Sequence, residues 1–459
     1  MSDPAQSYPS HPEAILGPDG NPVREESVPG GTNSLNVPAL KDVDPPSDVA
    51  PPQSLSPLLT HSVPRISIQV FCEASQTAET FQGAADDRRL ARAHITVQMG
   101  GIPGAVEQFH DAPTPNLIIV ECLQSREALF ESLARLAEVC DPSTKVVVIG
   151  KVNDISMYRE LIRQGINEYL VAPLNPIQVI ESVITLYVDP DTPPIGRNIV
   201  FVGSKGGVGA STLAHNIGWC ISEHLNEDTT IVDLDLSFGT TGLDFNKDPS
   251  QGVADALTSP DRVDDVLLDR LLVKCTERLS LFTAPGTLDR DFDLDPGAFE
   301  SVLDIVRKMV PYAIIDLPHV WNAWSKAVIL SADEIVLVAT PDLASLRNVK
   351  NLNELIKLAR PNDRKPKLIL NQVGIAKRPE IPQNDFIEAI GLDPDAVIPF
   401  EPHLFGTAAN NGQMLSEVSA SAATTLALQD FAARLIGRDA PQVKKWSLLT
   451  LFGQGARSA

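Results

Sequence analysis

The chain has 459 residues, of which 43% are hydrophobic, and this is enough for two ordinary hydrophobic cores. Its formal net charge of -22 excludes a broad basic surface of the kind that binds nucleic acid nonspecifically, and leaves room only for a local basic patch. We therefore do not expect nucleic acid to be a partner.

Residues 1–62 carry 12 of the 37 prolines, with Ser, Asp and Gly between them and little apolar periodicity. Such a segment cannot bury enough apolar surface to offset the chain entropy that folding removes. We therefore predict a disordered, proline-rich leader over residues 1–62.

Residues 63–189 alternate short apolar runs with helical patterns, two of which cover 125–139 and 155–164. The apolar runs predict five strands, and the alternation predicts a doubly wound parallel sheet with helices on both faces. The predicted strands are 66–71, 93–99, 116–120, 145–149 and 168–171.

The order of these elements resembles a response-regulator receiver domain, but the residues that carry receiver chemistry differ. Glu121 stands in place of the phosphorylated aspartate, and Cys72 and Glu73 stand in place of the acidic pair that holds Mg²⁺. Ala172 replaces the lysine that senses the acyl phosphate. We predict a degenerate receiver domain that is not phosphorylated and serves as a docking or dimerising module. Glu121 either imitates a permanently charged acceptor or is a strand-end glutamate held for solubility.

Residues 190–196 are predicted to be a linker, because they contain the run Pro-Asp-Thr-Pro-Pro. Adjacent prolines stiffen a linker. We therefore expect the receiver-like domain to be held away from the domain that follows.

Residues 197–437 predict a second doubly wound parallel sheet, so the expected fold class is α/β with two such domains. A glycine-rich loop lies between an apolar strand at 198–202 and a helix predicted over 211–225. Its glycines let backbone N–H groups surround a phosphate, the helix N-terminus adds favourable potential, and Ser211 is placed to bind Mg²⁺. The residues predicted to contact a nucleotide here are Lys205, Gly206, Gly207, Val208, Gly209, Ala210, Ser211 and Thr212.

Acidic residues at the ends of two later strands predict the metal side of this site. Asp233 and Asp235 end one apolar strand and are spaced to bracket a metal-bound water, and Asp316 ends another in the form of a Walker B motif. Ligands of open α/β sheets bind at the carboxyl ends of the strands. We therefore predict that Asp233, Asp316 and Ser211 hold Mg²⁺, partly through water.

Two further strand ends predict the base side of the site. Asn371 and Pro399 end apolar runs and are predicted to hold the adenine edge and its flanking wall. The alternative for Asn371 is a simple turn residue.

The early lysine of Lys205-Gly-Gly-Val-Gly, the Asp-x-Asp and the Asp-x-Pro resemble the MinD/ParA branch of P-loop ATPases over 197–437. The resemblance implies ATP or ADP with Mg²⁺ as cofactors and a nucleotide-bound homodimer. It also implies that Lys205 reaches the nucleotide of the partner subunit and that Asp235 orients the attacking water. Lys205 and Asp235 are therefore the implied catalytic residues.

Ala210 departs from that branch, which has at this position a lysine that touches the β and γ phosphates. A charge-assisted contact contributes about 1.5 to 3 kcal/mol, or roughly tenfold to 150-fold in affinity or rate. We expect nucleotide binding through the loop backbone to persist and hydrolysis to be weak at most, as in a switch or a structural nucleotide holder.

The leader, the degenerate receiver and a MinD-like loop reading Gly-Val-Gly-Ala-Ser-Thr together resemble the TadZ/CpaE family of pilus assembly proteins over residues 65–437. The resemblance implies a factor at the cell pole that recruits the secretion ATPase and other parts of a tight-adherence, Flp-type type IV pilus machine. The alternative is a ParA/MinD-type positioning ATPase for another cargo, including DNA partition, which Ala210 and the acidic charge disfavour.

Two other classes that share the loop need features that this sequence lacks. A reductase of the nitrogenase-iron-protein type would need two cluster-binding cysteines near the switch regions, and none lies beside Asp233 or Asp316. A tyrosine kinase would need a tyrosine cluster in its tail.

Trp321 and Trp324, three apart on a predicted helix near the switch, face either a dimer partner or the core.

The C-terminal tail, 438–459, sets two lysines beside the apolar residues Trp446, Leu449 and Phe452. Basic flanks with large apolar groups suit an anionic membrane surface. We predict either a peripheral contact with the inner membrane, strengthened by dimerisation, or a C-terminal helix that packs on its own domain.

Cysteine spacing and apolar run lengths indicate the compartment. The cysteines are five in number and form no Cys-x-x-Cys pair, which is typical of reduced, mostly buried thiols. No apolar run reaches the about 18 residues of a membrane span, and the N-terminus lacks a basic and then apolar signal pattern. We therefore expect a cytoplasmic protein.

Overall fold

A computed structural model describes residues 61, 63–188, 195–248, 251–288, 292 and 294–438. The predicted leader (except residue 61), residues 189–194 of the predicted linker and the tail from residue 439 lie outside the described residues. Across the described part of the chain, no helix combines the length and the apolar character needed to cross a membrane.

Five parallel strands form the sheet of the first domain: β1 (Ser67–Cys72), β2 (His94–Met99), β3 (Leu117–Glu121), β4 (Lys145–Gly150) and β5 (Glu168–Val171). Their order is β2-β1-β3-β4-β5, which is that of flavodoxin-like doubly wound folds. Every residue of the central strand β3 is buried, because helices cover both faces of the sheet.

Five helices flank this sheet: α1 (Ser75–Ala85), α2 (Gly101–Asp111), α3 (Arg126–Val139), α4 (Ile155–Arg163) and α5 (Pro176–Tyr187). Polar side chains fix where several of them begin. Ser125 and Asp154 accept hydrogen bonds from the first turns of α3 and α4, and Asn175 forms a capping box at α5. The predicted strands and helices of this domain therefore agree closely with the observed ones.

Eight strands form the sheet of the second domain: β6 (Arg197–Gly203), β7 (Thr229–Asp233), β8 (Val273–Lys274), β9 (Leu279–Phe282), β10 (Tyr312–Leu317), β11 (Glu334–Ala339), β12 (Lys367–Val373) and β13 (Ala396–Pro399). Their order is β13-β12-β11-β6-β10-β7-β9-β8, and only the β8–β9 pair is antiparallel. The predicted α/β class with two doubly wound parallel sheets is confirmed.

The helices of the second domain alternate with its strands. The helix predicted over 211–225 is α6 followed by one π-helical turn, Cys220–His224. The helices are α6 (Ala210–Trp219), α7 (Thr241–Asp244), α8 (Val253–Thr258), α9 (Asp265–Leu271), α10 (Pro296–Met309), α11 (Ala323–Ser331), α12 (Leu343–Ala359), α13 (Gln383–Ile390), α14 (Pro402–Asn411), α15 (Leu415–Val418) and α16 (Ala423–Leu435).

The two domains touch directly, so the expectation that a stiff linker holds them apart is wrong. A 3₁₀ turn of the first domain, Arg88–Leu90, bonds to the second: Arg88 lies 3.2 Å from Asp333 and 3.1 Å from Asp363. Linker stiffness limits the freedom of the connection, but complementary charges on the two surfaces decide whether the surfaces meet.

Candidate functional site

The glycine-rich loop lies where the resemblance requires it, between the central strand β6 and the first turn of α6. Gly207 and Gly209 have φ of 78° and 86°, which favour glycine. A Cβ atom added at Gly206 or Gly207 would meet nothing within 4 Å, whereas one at Gly209 would lie 2.6 Å from the Asn371 amide nitrogen. The loop is therefore an open cradle on one side and tightly packed on the other.

Four side chains from later segments hold the backbone carbonyl groups of this loop. Because these side chains hold the carbonyls from outside, they fix the shape of the loop. Separately, the first amides of α6 have no acceptor within the helix, as at the start of any α-helix. The contacts are Asn371 Nδ2 to Val208 O (2.7 Å), Gln372 Nε2 to Gly207 O (2.9 Å), Asn348 Nδ2 to Ser204 O (2.8 Å) and His319 Nδ1 to Gly203 O (2.9 Å).

The two residues predicted to hold the adenine have different surroundings. Asn371 is buried, and its amide nitrogen donates to the phosphate loop while its oxygen accepts from the Gln372 N–H. Asn371 thus braces the loop in this structure. This role differs from both predicted ones, an adenine contact and a simple turn residue. Pro399 ends β13 and is exposed. The adenine contact of both residues stays a prediction.

Lys205 forms an ion pair within its own chain. Its Nζ lies 2.8 Å from Asp342 Oδ2, the residue that caps α12 through the Ser345 N–H. Burial raises the pKa of Asp342, but hydrogen bonds from Lys205, Thr340 and Ser345 outweigh it and lower that pKa to about 2. Lys205 is therefore held by a carboxylate that stays ionised at physiological pH.

The sheet brings the two predicted metal ligands Asp233 and Asp316 together, since they are register partners on the adjacent strands β7 and β10. Both are buried. Asp233 Oδ2 accepts hydrogen bonds from the Thr241 hydroxyl (2.8 Å) and N–H (3.2 Å). Burial and the charge of Asp316 raise the pKa of Asp233 to about 6, against the opposing effects of His215 and Thr241.

His215 on α6 supplies the buried cation that faces these acids, and it was not among the predicted site residues. Its Nδ1 lies 2.7 Å from Asp244 Oδ2, and its Nε2 lies 3.0 Å from Thr241 Oγ1 and 3.6 Å from Asp316 Oδ2. Burial lowers its pKa, but hydrogen bonds to Asp244 and Asp316 outweigh it and raise that pKa to about 10. The sequence feature that could have identified His215 is its position in an apolar helix pattern, one turn after Ser211.

The remaining predicted site residues lie around this core. Ser211 and Thr212 are in the first turn of α6 and are partly exposed. Asp235 is partly exposed, and its Oδ1 accepts from the Phe238 N–H at 3.0 Å. The structure therefore places Asp235 at the rim of the site and the two buried aspartates behind the loop.

The two tryptophans near the switch have different environments. Trp324, on α11, packs against Phe299 with stacked rings 4.4 Å apart. Trp321 precedes the helix and is 54% exposed. Core packing therefore describes Trp324, and Trp321 is accessible at the surface.

The loop fits a nucleotide, because the open cradle at Gly206 and Gly207 leaves room for phosphate next to the N-terminus of α6. Among the described residues, no group of three or more His, Cys, Asp or Glu side chains is arranged to hold a metal by itself. Mg²⁺ usually binds one or two carboxylates together with phosphate oxygens and water. The assignment of Ser211, Asp233 and Asp316 to Mg²⁺ stays a prediction.

The site at the carboxyl end of β3, in the first domain, is closed by its own glutamates. Glu121 is buried; its Oε2 accepts from the N–H groups of Glu73 (2.7 Å) and Ala74 (2.8 Å), and its Oε1 accepts from the Thr77 hydroxyl (2.7 Å). Glu73 Oε2 in turn accepts from the Leu123 N–H at 2.9 Å. The glutamates thus tie two loops together, and the solubility alternative for Glu121 is wrong because its carboxylate is not in solvent.

All five cysteines are free, and three of them, Cys72, Cys122 and Cys220, are buried. Burial raises the pKa of the Cys220 thiol to about 12, and burial together with Glu121 does the same for Cys72. These thiols are therefore protonated core groups.

The AAA_31 family model, described as an AAA domain, matches residues 196–369. The septum site-determining protein MinD of Synechocystis sp. is 26% identical to this chain over 54% of the chain and 92% of that protein. Fold and loop thus define a P-loop protein of the MinD/ParA type.

Two crystal structures of pilus assembly proteins share a shorter part of the chain at higher identity. CpaE from Caulobacter crescentus CB15 is 49% identical and covers 28% of this chain and 98% of that one, with a TM-score of 0.28. The protein described as CpaE2 from Sinorhizobium meliloti 1021 is 38% identical and covers 26% of this chain and 99% of that one, with a TM-score of 0.26. On these identities, the chain belongs to the CpaE family.

We expect His215→Asn to lower the free energy of unfolding by about 3–5 kcal/mol near pH 7, because buried carboxylates lose their cation. The pKa of His215 is raised from 6.5 to about 10, so its stabilising contribution is full below pH 6.5, falls as the pH rises and is lost near pH 10. The difference between wild type and variant should therefore shrink from pH 7 to pH 10.

Chemical denaturation at several pH values measures this difference. His224→Asn, an exposed histidine at the end of the same helical segment, is the matched control and should change stability by less than about 0.5 kcal/mol. A loss that is the same at every pH would contradict the assignment of a buried imidazolium.

We expect acetyl phosphate to leave no labile adduct on the first domain, because both oxygens of Glu121 already accept hydrogen bonds. Glu121→Gln should lower stability by about 1–3 kcal/mol, since an amide cannot accept all three. Intact-mass measurement tests the first claim and denaturation the second. An adduct mapped to Glu121 or Glu73 would overturn the interpretation of a closed site.

Proposed function

We propose that this chain is a nucleotide-binding scaffold that localises and assembles a tight-adherence, Flp-type type IV pilus secretion machine at the cell pole. The observation that carries the proposal is the 49% identity to the pilus assembly protein CpaE. In this role the protein works in the cytoplasm, recruits the pilus secretion ATPase and other machine components, and contacts the inner membrane peripherally.

ATP or ADP with Mg²⁺ is the proposed ligand of the phosphate loop. When bound, Mg²⁺ neutralises phosphate charge and polarises the terminal phosphate. The cradle of Gly206 and Gly207 and the N-terminus of α6 bind phosphate through backbone N–H groups. Because Ala210 offers no charge there, affinity depends on that backbone geometry, and turnover is weak or absent.

Lys205 is the proposed switch between a single chain and a homodimer. It pairs with Asp342 of its own chain at 2.8 Å. In the nucleotide-bound homodimer that the family resemblance implies, this lysine leaves Asp342 for the phosphates of the partner subunit's nucleotide. Hydrogen bonds hold the pKa of Asp342 near 2, so this carboxylate is ionised. The Asp342 carboxylate and the nucleotide phosphates therefore compete for the ammonium group of Lys205.

Exposed apolar side chains at the carboxyl edge of the sheet support a homodimer at this face. Phe238 follows β7, Trp321 follows β10 and Leu343 follows β11, and they are 70%, 54% and 73% exposed. Large exposed apolar groups that gather at one edge are typical of a surface that a partner covers. Asp235, beside Phe238, lies at the same rim, where the family resemblance has it orient water.

A positioning ATPase of the ParA/MinD type that acts on another cargo, including DNA partition, is the second candidate. The observation that favours it is the match to MinD over 54% of the chain. The net charge of -22 and the missing lysine at Ala210 disfavour the DNA-partition form, which needs nucleic-acid binding and turnover.

A fluorescent fusion in the native cell separates the two candidates. We expect a focus at one pole and loss of pili when the gene is deleted, with normal DNA segregation. Plasmid-borne wild type should restore the pili. A nucleoid-wide pattern with anucleate progeny and normal pili would contradict the scaffold and favour DNA partition.

We expect Ala210→Lys to tighten ATP binding or raise turnover by roughly tenfold to 150-fold, because it adds one charge-assisted contact to phosphate. Ala210→Met is the matched control, as it adds similar length without charge, and should give no gain. Calorimetric titration with ATP and Mg²⁺, with phosphate release on the same sample, measures both. Equal effects of Lys and Met would show that the loop does not hold phosphate at this position.

A further inference from the structure

An arginine-bearing turn of the first domain enters an acidic site on the second. Arg88 Nη2 lies 3.2 Å from Asp333 Oδ1 and its Nε lies 3.1 Å from Asp363 Oδ2. Arg89 Nη2 lies 3.0 Å from the other carboxylate oxygen of Asp363. The side chains of the two aspartates are only 4% and 9% exposed. We refer to these four residues as the arginine clamp.

The second domain supplies further cationic partners for the two clamp acids. Arg360 Nη2 lies 2.7 Å from Asp363, and Arg307 Nη2 lies 3.3 Å from Asp333. Burial raises the pKa of Asp363, but Arg88, Arg360 and Arg89 outweigh it and lower that pKa. Removing Arg88 would leave buried negative charge with fewer partners, which is strongly unfavourable.

The clamp acids stand at the ends of two elements that lead to the phosphate loop. Asp333 directly precedes β11, and Asp363 follows α12. The 17 residues of α12 span about 25 Å, so the helix reaches across the sheet as one rigid body.

At its other end, α12 contacts the phosphate loop directly. Its capping residue Asp342 holds Lys205 at 2.8 Å. In its first two turns, Ser345 Oγ lies 3.0 Å from Ser204 Oγ, and Asn348 Nδ2 donates to Ser204 O at 2.8 Å. One helix therefore begins at the phosphate loop and ends three to four residues before the interface residues Asn362 and Asp363.

We propose that docking of the first domain through the arginine clamp fixes α12 and thereby sets the conformation of the phosphate loop and its affinity for nucleotide. This inference rests on the proposed nucleotide site. Coupling between two sites is reciprocal, so nucleotide binding also changes the stability of the clamp. A component that docks on the first domain can therefore change the conformation of the loop, although the clamp and the loop lie at opposite edges of the sheet.

Arg88→Ala and the charge reversal Arg88→Glu open the clamp, and Arg92→Ala is the matched control. Arg92 bridges the same two domains through Asp304 at 2.7 Å, but that acid lies on α10 and its side chain is 31% exposed. Asn362→Ala is the milder second variant, since Asn362 donates to Gly83 O of the first domain at 3.1 Å.

Hydrogen–deuterium exchange without nucleotide is the first readout, because it does not require that the protein binds ATP. We expect Arg88→Ala and Arg88→Glu to raise exchange in the 83–90 segment, in α12 and in the loop 204–209, and Arg92→Ala to leave α12 and the loop unchanged. Faster exchange at 83–90 with an unchanged loop would overturn the coupling. Unchanged exchange at 83–90 in both variants would overturn the clamp.

Calorimetric titration with ATP and Mg²⁺ is the second readout. We expect the Arg88 variants to shift the dissociation constant by about fivefold or more and Arg92→Ala by less than about twofold. If neither the wild type nor any variant binds ATP, the proposed nucleotide function is wrong. The exchange result still tests whether the clamp is coupled to the loop. If the Arg88 variants do not fold, Asn362→Ala is read by the same two outcomes.

Discussion

Two carboxylates buried side by side constrain the carboxyl edge of the second sheet, behind the glycine-rich loop. Asp233 and Asp316 end neighbouring strands in register, so the sheet forces them together. Ionised carboxylates in a buried site repel each other and need a nearby cation. His215 is that cation, and it reaches the acids from α6, the helix whose first turn forms the phosphate cradle. The contacts of His215 therefore tie α6, which begins at the end of the loop, to the two strands that carry the acids.

A phosphate loop without its usual lysine depends on the shape of its backbone. Contacts from three later segments supply that shape: the amides of Asn371 and Gln372 on β12, Asn348 on α12, and His319 after β10. Each contact ends on a carbonyl oxygen and therefore uses none of the loop's N–H groups. The shape of the cradle thus depends on long-range packing, so elements distant in the chain can change that shape.

The sequence was informative where contacts are local. Glycine spacing and apolar runs predicted the strands, the helices and the loop, because each depends on neighbours in the chain. His215, the bracing role of Asn371 and the docking of Arg88 were missed. Each of these depends on a partner between 29 and 275 residues away. No pattern within one element encodes such a partner.

For Glu121, the sequence predicted the position of the residue but not its environment. Its position at the end of β3 identified it as the residue in place of a phosphoacceptor, yet the sequence left open whether it faced solvent. The structure buries it against the N–H groups of Glu73 and Ala74, which are 48 and 47 residues away. An acid at a strand end becomes a structural tie because a neighbouring loop offers unpaired amides.

We propose that the backbone cradle, with Ala210 in place of lysine, binds nucleotide as a switch. Isothermal titration of the wild-type protein with ATP and with ADP in Mg²⁺, with turnover measured on the same sample, tests it most directly. We expect saturable binding of ATP, with turnover far below that of relatives that carry the lysine. Absence of binding to either nucleotide, or brisk hydrolysis of ATP, would contradict it.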